Sequence, residues 1–306
     1  MSPTPPPASS GTSTSAGVRH ARDRLARGGA PFLWSEAARR MAERLPLLRL
    51  QPELALDVGC AWGDGLSLLR AQYPRARLIG VEPGAALAAR ARRDRGGGWL
   101  QRLRGGGATE VVQADLQAPP VPQGAAQLLW SNLALGWAPE PAALFSAWNR
   151  ALRPDGVLMF TTFGPDTLRE LRDPEVAALC AGAAQWPDMH DLGDLLVEQG
   201  FASPVMDMEL LRLRWPDAEA ALRELAQLGR APHAAARQGL RTPRRWRRLL
   251  ELLQARAAAC EHGQVELSFE LVYGHAFKPA TSRAEAGVAS IGLEQIGGRA
   301  RSRPPG

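Results

Sequence analysis

The sequence is nearly without lysine and tyrosine: Lys278 is its only lysine, and Tyr73 and Tyr273 are its only tyrosines. Its three cysteines, Cys60, Cys180 and Cys260, stand far apart. That spacing matches neither a metal site nor an even-numbered disulfide framework, so a reducing, cytoplasmic setting is expected. No apolar run approaches the roughly 20 residues that span a bilayer, which predicts no transmembrane helix. Residues 1–17 are rich in Pro, Ser and Thr and lack the apolar segment of a secretory signal.

The shortage of lysine also qualifies the net charge of +6. Arginine supplies nearly all the positive charge, in a background rich in alanine, as GC-rich coding produces. Much of the excess sits between Arg19 and Arg27 and between Arg299 and Arg303, whereas residues 52–209 are mixed in sign. Sequence-specific nucleic-acid binding is therefore not expected.

What is present is a βα alternation across 306 residues, enough for one large α/β domain. Residues 1–18 read as a disordered tail with too little apolar surface to offset ordering entropy. Trp34, Ala37, Ala38, Met41 and Leu45 share one face of a helix predicted over 34–45, with Pro46 at its end. Strands are predicted at 55–58, 77–81, 111–114, from 126 to 130 and at 157–162. Helices at 66–72, 85–93 and 141–152 alternate with them. A further helix covers 191–199, stopped by Gly200. Two later strands, 205–215 and 264–273, finish the sheet, with added helices at 218–229 and 244–259 between them. The expected architecture is a Rossmann-like, seven-stranded, mainly parallel sheet with helices on both faces. Its core lies between about Pro46 and Pro279, in a domain over 19–280 with inserted helices at about 216–262 and a second disordered tail over 281–306.

The chemistry centres on Asp57-Val58-Gly59-Cys60-Ala61-Trp62-Gly63-Asp64-Gly65, at the end of the first strand. Glycines let a backbone turn tightly and approach a ligand, and ligands of open α/β sheets sit outside the carboxyl ends of the strands. A dinucleotide would place its pyrophosphate on the next helix N-terminus. Here Asp57 and Asp64 would repel it, and they suit a ligand with an ammonium and a sulfonium charge. Glu82 ends the second strand, where a carboxylate accepts ribose hydroxyls, and Asp115 ends the third, where it accepts from an adenine amino group. Three acids at successive strand ends behind a glycine loop form a pattern that single helix caps do not.

These residues resemble the class I methyltransferases. Asp57, Gly59 and Gly63 match their D-x-G-x-G-x-G motif, with Ala61 in place of the middle glycine. A closer resemblance covers most of the chain. Ser131-Asn132-Leu133-Ala134-Leu135-Gly136-Trp137 is similar to the fourth-strand motif of the malonyl-acyl-carrier-protein O-methyltransferases of biotin synthesis. So are Leu152-Arg153-Pro154-Asp155-Gly156, Phe163-Gly164-Pro165-Asp166-Thr167-Leu168-Arg169-Glu170-Leu171-Arg172, Asp188-Met189-His190-Asp191-Leu192-Gly193-Asp194 and Tyr273-Gly274-His275-Ala276-Phe277-Lys278-Pro279. The same segments resemble the methyltransferase-like assembly factor of mitochondrial complex I, thought to be an arginine hydroxylase. The Tyr-Asp pair usual in the family's N-terminal region has no counterpart, since no tyrosine precedes Tyr73.

The resemblance implies S-adenosyl-L-methionine as cofactor, held by Asp57, Gly59, Ala61, Gly63, Glu82, Asp115, Leu116, Asn132 and Leu133, with Trp137 beside it. It implies malonyl-acyl carrier protein, or malonyl-CoA, as substrate, and neither a membrane nor a nucleic acid as partner. The malonyl carboxylate, with a pKa of about 4, is ionised at neutral pH and needs no general base. An arginine is expected to hold it in a bidentate grip. Arg169 and Arg172 are the candidates, and His190 is a third residue for the same pocket. The run Arg241-Thr242-Pro243-Arg244-Arg245-Trp246-Arg247-Arg248 is read as a solvated helix face, a steering surface for an acidic carrier protein, or a nucleic-acid contact. Cys60 is read as a packing residue.

Overall fold

The computed structural model describes residues 11–95, 107–179, 186–228, 242–259 and 262–280. Two helices, α1 (Gly11–Leu25) and α2 (Phe32–Ala42), precede β1 (Leu54–Val58). Then come α3 (Asp64–Gln72), β2 (Arg77–Glu82), α4 (Ala85–Arg95), β3 (Thr109–Gln113), β4 (Ala126–Asn132), α5 (Pro141–Ala151) and β5 (Leu152–Phe163). The chain continues through α6 (Pro174–Leu179), α7 (Met189–Glu198), β6 (Ala202–Trp215), α8 (Ala218–Gln227), α9 (Pro243–Ala258) and β7 (Val265–Phe277). The strands form one sheet in the order β3-β2-β1-β4-β5-β7-β6, with β7 antiparallel to both neighbours.

Burial explains the strand assignments. Every residue of β4 is buried, as a central strand requires, while β6 at the edge is half-buried or exposed at every position but Trp215. The crossovers after β1 and β2 run outward in one direction and that after β4 in the other. Right-handed connections therefore place α3 and α4 on one face and α5 on the opposite one. The order reverses between β1 and β4, so the carboxyl ends of those strands open onto the crevice where such sheets bind ligands.

Lys278 does structural work. Its ammonium donates to the carbonyls of Asn149 at 2.8 Å and Leu152 at 2.7 Å, at the C-terminal end of α5. Its backbone N–H donates to Gly156 O at 2.9 Å, and its carbonyl accepts from Asp155 N at 2.8 Å. The LRPDG turn and the end of β7 are thus one clasp.

Several boundaries move. The expected tail over 1–18 is corrected from residue 11 onward, where α1 begins; Val18, Ala21 and Leu25 are buried on one stripe of that helix, enough apolar surface to order it. Residues 1–10 and 281–306 lie outside the described residues. The first predicted helix ends at Ala42 rather than at Leu45, and Pro46 instead enters a short 3-10 turn over Leu45–Leu48. The third strand ends at Gln113, two residues before Asp115, so that acid stands in the following turn. The α7 helix starts earlier than predicted because the Asp188 side chain accepts from His190 N at 2.8 Å, an N-cap.

Candidate cofactor and acceptor site

The loop after β1 is shaped by three left-handed residues. Gly59 has φ 82°, and a Cβ there would lie 2.4 Å from Ala134 Cβ, so no larger residue fits. Gly63, at φ 84°, opens α3. Ala61 has φ 49°, a conformation that costs an alanine about 1 kcal/mol. The loop supports it: the buried Ala61 donates its N–H to Glu82 Oε2 at 3.1 Å. Gly59 N and Cys60 N both donate to Val81 O, at 2.8 and 3.1 Å, which fixes the loop against β2.

Asp57 is buried at the end of β1, and its Oδ2 has no partner. Burial, with Glu82 and Asp64 nearby, pushes its carboxyl up to about 8, against the opposing pull of Arg22 and of a hydrogen bond from Leu66. A buried acid oxygen without a hydrogen-bond partner suits a cationic group that can donate to it. Asp64 is engaged elsewhere: Ser35 Oγ donates to its Oδ2 at 2.7 Å, and Arg95 reaches its Oδ1 at 3.4 Å.

Glu82 is fully buried and already has a partner. Arg22, from α1, donates Nε to Oε1 at 2.7 Å and Nη2 to Oε2 at 2.5 Å. Burial opposes the charge on Arg22, but the Glu82 ion pair outweighs it and holds the guanidinium above its ordinary range. Arg22 also stacks over Trp137, 5.0 Å from the ring centroid, while its Nη1 has no partner.

The remaining cofactor candidates divide into wall and frame. Leu116 is buried, 3.5 Å from where a Gly59 Cβ would stand, and its carbonyl accepts from Trp148 Nε1 at 3.0 Å. Asp115 Oδ1 accepts from Gln117 N at 2.9 Å and shapes the turn after β3. Leu133, left-handed at φ 50°, donates its N–H to Thr161. Asn132 is a brace: its Nδ2 donates to Trp34 O at 2.9 Å, and its Oδ1 accepts from Thr161 Oγ1 at 2.7 Å. Burial raises the Cys60 thiol well above its usual range, in keeping with packing.

Sequence reasoning missed the N-terminal cover. Trp62 Nε1 donates to Gly28 O at 3.2 Å, and the Trp62 ring meets Trp34 edge-on at 5.5 Å. α1 and α2 thereby close over the glycine loop. The one signal for Arg22 was its place on the stripe of Val18, Ala21 and Leu25; among neighbouring arginines it is otherwise unremarked.

The acceptor-side candidates are exposed. Arg172 donates Nη2 to the carbonyls of Pro165 and Thr167, the latter at 2.9 Å, and so braces its own segment. Arg169 lies 3.5 Å from Asp166 and 3.6 Å from Glu170, in loose ion pairs. His190 is exposed, and its backbone N–H caps α7. The segment holding both arginines is pinned to β7, where Glu270 Oε2 accepts from Asp166 N at 2.6 Å. In the basic run, Arg241 lies outside the described residues, as do Cys180 and Cys260. Arg245 donates to Ala178 O at 2.6 Å, Arg248 pairs with Glu251 at 3.5 Å, and Arg244 and Arg247 are exposed on α9. No group of residues suited to a metal ion occurs among the described residues, and no helix there is long and apolar enough to cross a membrane.

Residues 33–203 match a family model described as a methyltransferase domain. The malonyl-[acyl-carrier protein] O-methyltransferase of Gallionella capsiferriformans is 37% identical over 278 residues, 90% of this chain and 94% of that protein. The protein of the same name from Laribacter hongkongensis is 41% identical over 257 residues, covering 82% and 84%. A solved structure of a putative methyltransferase from Bacillus halodurans superimposes with a TM-score of 0.54 at 15% identity, over 78% of this chain and 98% of that one. That likeness bears on the fold.

Proposed function

Because this chain belongs to the family of malonyl-[acyl-carrier protein] O-methyltransferases, we propose that it methylates the free carboxylate of a malonyl thioester, on acyl carrier protein or coenzyme A, in the cytoplasm. The observation that carries the cofactor half of this reading is the buried, unpartnered oxygen of Asp57 at the head of the crevice. Its chemistry fits the ammonium group of S-adenosylmethionine. Glu82 fits the ribose hydroxyls, and Leu116 and Leu133 fit the flanks of the nucleoside.

When bound, the cofactor supplies an electrophilic methyl group on a sulfonium sulfur. The protein's task is alignment and exclusion of water. Glycines 59 and 63 let the backbone come close, and Trp62, Trp34 and Trp137 roof the loop. No residue needs to remove a proton, since the attacking carboxylate is already ionised. Of the acceptor-side candidates, Arg169 is the one held only by loose ion pairs, and it is assigned the grip on the malonyl carboxylate. Arg172 holds the segment that presents it, and His190 flanks the same pocket. The catalytic unit is taken as 11–280, with α1 as its cover.

Methyl-labelled S-adenosylmethionine and malonyl-acyl carrier protein test the reading directly. Label is expected in the carrier as a base-labile methyl ester. Cofactor uptake without label in carrier or malonyl-CoA would sink the proposed acceptor. An Arg169→Ala variant is expected to raise KM for the malonyl substrate and leave cofactor affinity unchanged.

A further inference from the structure

The two oxygens of a carboxylate offer about four acceptor positions, and in Glu82 all of them are filled. Oε1 accepts from Arg22 Nε at 2.7 Å and Gly84 N at 3.0 Å; Oε2 accepts from Arg22 Nη2 at 2.5 Å and Ala61 N at 3.1 Å. A ribose diol brings two more donors and has no place to put them. The two backbone donors belong to the glycine loop and the end of β2, which the sheet holds. Arg22 is the donor on a separate element.

We propose that Arg22 is a built-in competitor for the cofactor: it holds the diol-binding oxygens of Glu82 when the crevice is empty, and it must leave, with movement of α1, for the nucleoside to bind. The proposal rests on the cofactor reading above. Three features of the structure support it. First, the pair is costly as it stands, because two charges are fully buried and Arg22 Nη1 has no partner. Neutral hydroxyls can replace the guanidinium on Glu82 without leaving a cation stranded, provided Arg22 swings to solvent. Secondly, α1 is packed on one side only, through Val18, Ala21 and Leu25. A cavity of about 540 Å³ lies between its outer side and α4, lined among others by Arg24, Arg27, Arg90 and Arg93. Asp23 lines it too, and Arg90 and Arg93 lie within 3.6 Å of Asp94, so the seam is mixed in charge; what it offers α1 is room to move. Thirdly, the turn after α1 stays anchored when Arg22 leaves the crevice: Gly28 O accepts from Trp62 Nε1 at 3.2 Å and from Arg90 Nη1, so the helix can pivot about its C-terminal end. Asp23 Oδ1 accepts from Ala86 N at 2.8 Å, and Ala26 O accepts from Arg90 Nη1 at 3.0 Å. Both lie at the α4 seam, where they can act as a hinge.

A competitor lowers apparent affinity by the fraction of time it leaves the site free. Removing it should therefore tighten binding, whereas removing a residue that merely supports the site would weaken it. The test uses S-adenosylhomocysteine as probe, titrated by calorimetry into the unaltered protein and into Arg22→Gln and Arg22→Met. Folded variants are expected to bind at least about tenfold more tightly than the unaltered protein. Equal or weaker binding by the variants would overturn the competitor role and leave the cofactor reading standing. No uptake by any of the three proteins would remove the cofactor reading and this proposal with it. Hydrogen exchange on the unaltered protein supplies a readout independent of variant folding. Adding S-adenosylhomocysteine is expected to speed exchange across residues 18–25. Slower or unchanged exchange there, with the probe bound, would overturn the proposal.

Discussion

The unpartnered carboxylate oxygen of Asp57 and the unpartnered indole N–H of Trp130 converge on one point, the open side of Gly65. A Cβ on that glycine would lie 2.5 Å from Asp57 Oδ2 and 2.7 Å from Trp130 Nε1. Both side chains are buried, so neither can swing aside. Gly65→Ala is therefore expected to destabilise the protein by about 1–3 kcal/mol, the usual range for overpacking a core. It should also weaken cofactor binding, because Asp57 Oδ2, at 2.5 Å, is the atom that the new methyl crowds most. Urea denaturation and calorimetry with S-adenosylhomocysteine would read both effects; an unchanged midpoint would show that the space exists.

Asp57 also predicts a pH dependence. An aspartate in the unfolded chain ionises near pH 4, whereas native Asp57 keeps its proton to about 8 because it is buried among Glu82 and Asp64. Between those values the native state binds one proton more than the unfolded state. For this group, stability is therefore highest below pH 4, falls as pH rises to about 8, and is level above it, with a limiting slope of about 1.4 kcal/mol per pH unit. Asp57→Asn mimics the protonated acid and should remove this part of the slope. Thermal melts of both proteins from pH 5 to 9, without ligand, check it. Parallel curves would mean that Asp57 is ionised throughout.

The same two residues mark what the sequence made legible. Asp57 and Glu82 could be placed side by side because β1 and β2 are short apolar runs with an acid at or next to the last residue, and strand alternation brings such ends together. The βα alternation and the inserted helices were also legible; the strand order, with β7 between β5 and β6, was not. Arg22 could not be assigned, because its bond to Glu82 joins positions 60 apart with no local pattern linking them. Asn132 was expected beside the cofactor, and its part as a brace could not be read, since its partners Trp34 and Thr161 come from α2 and β5. Asp115 was placed one element too early because a turn acid and a strand-end acid look alike in sequence.

His190 and Asp188 can be separated by substitution. The His190 side chain is exposed, and its backbone N–H is what α7 uses. Asp188 supplies the cap, and losing an N-cap costs about 1 kcal/mol. Asp188→Ala should lower the melting temperature by a few degrees, and His190→Ala should leave it within about 0.5 kcal/mol of the unaltered protein. Steady-state kinetics on the malonyl substrate then isolate any role of the imidazole. If His190→Ala changes KM while stability is untouched, the residue belongs to the acceptor pocket; if neither moves, it is a surface residue of the helix start.

Lys278 gives the last prediction, and it concerns why a chain so poor in lysine keeps one. Its ammonium serves two carbonyls at the end of α5, and its backbone ties β7 to the LRPDG turn. Substitution of the side chain leaves the backbone bonds in place, so the effect isolates the ammonium. Lys278→Met keeps most of the apolar stem and strands the carbonyls of Asn149 and Leu152. Hydrogen bonds from charged donors contribute about 1.5–3 kcal/mol each, less where water can replace them. The group is half-buried, so the expected loss is about 1–3 kcal/mol by urea denaturation. Arginine has the charge but not the compact, three-way donor geometry of an ammonium, so Lys278→Arg should recover only part of that loss. Full recovery by arginine would assign the effect to charge at the helix end rather than to the directed bonds.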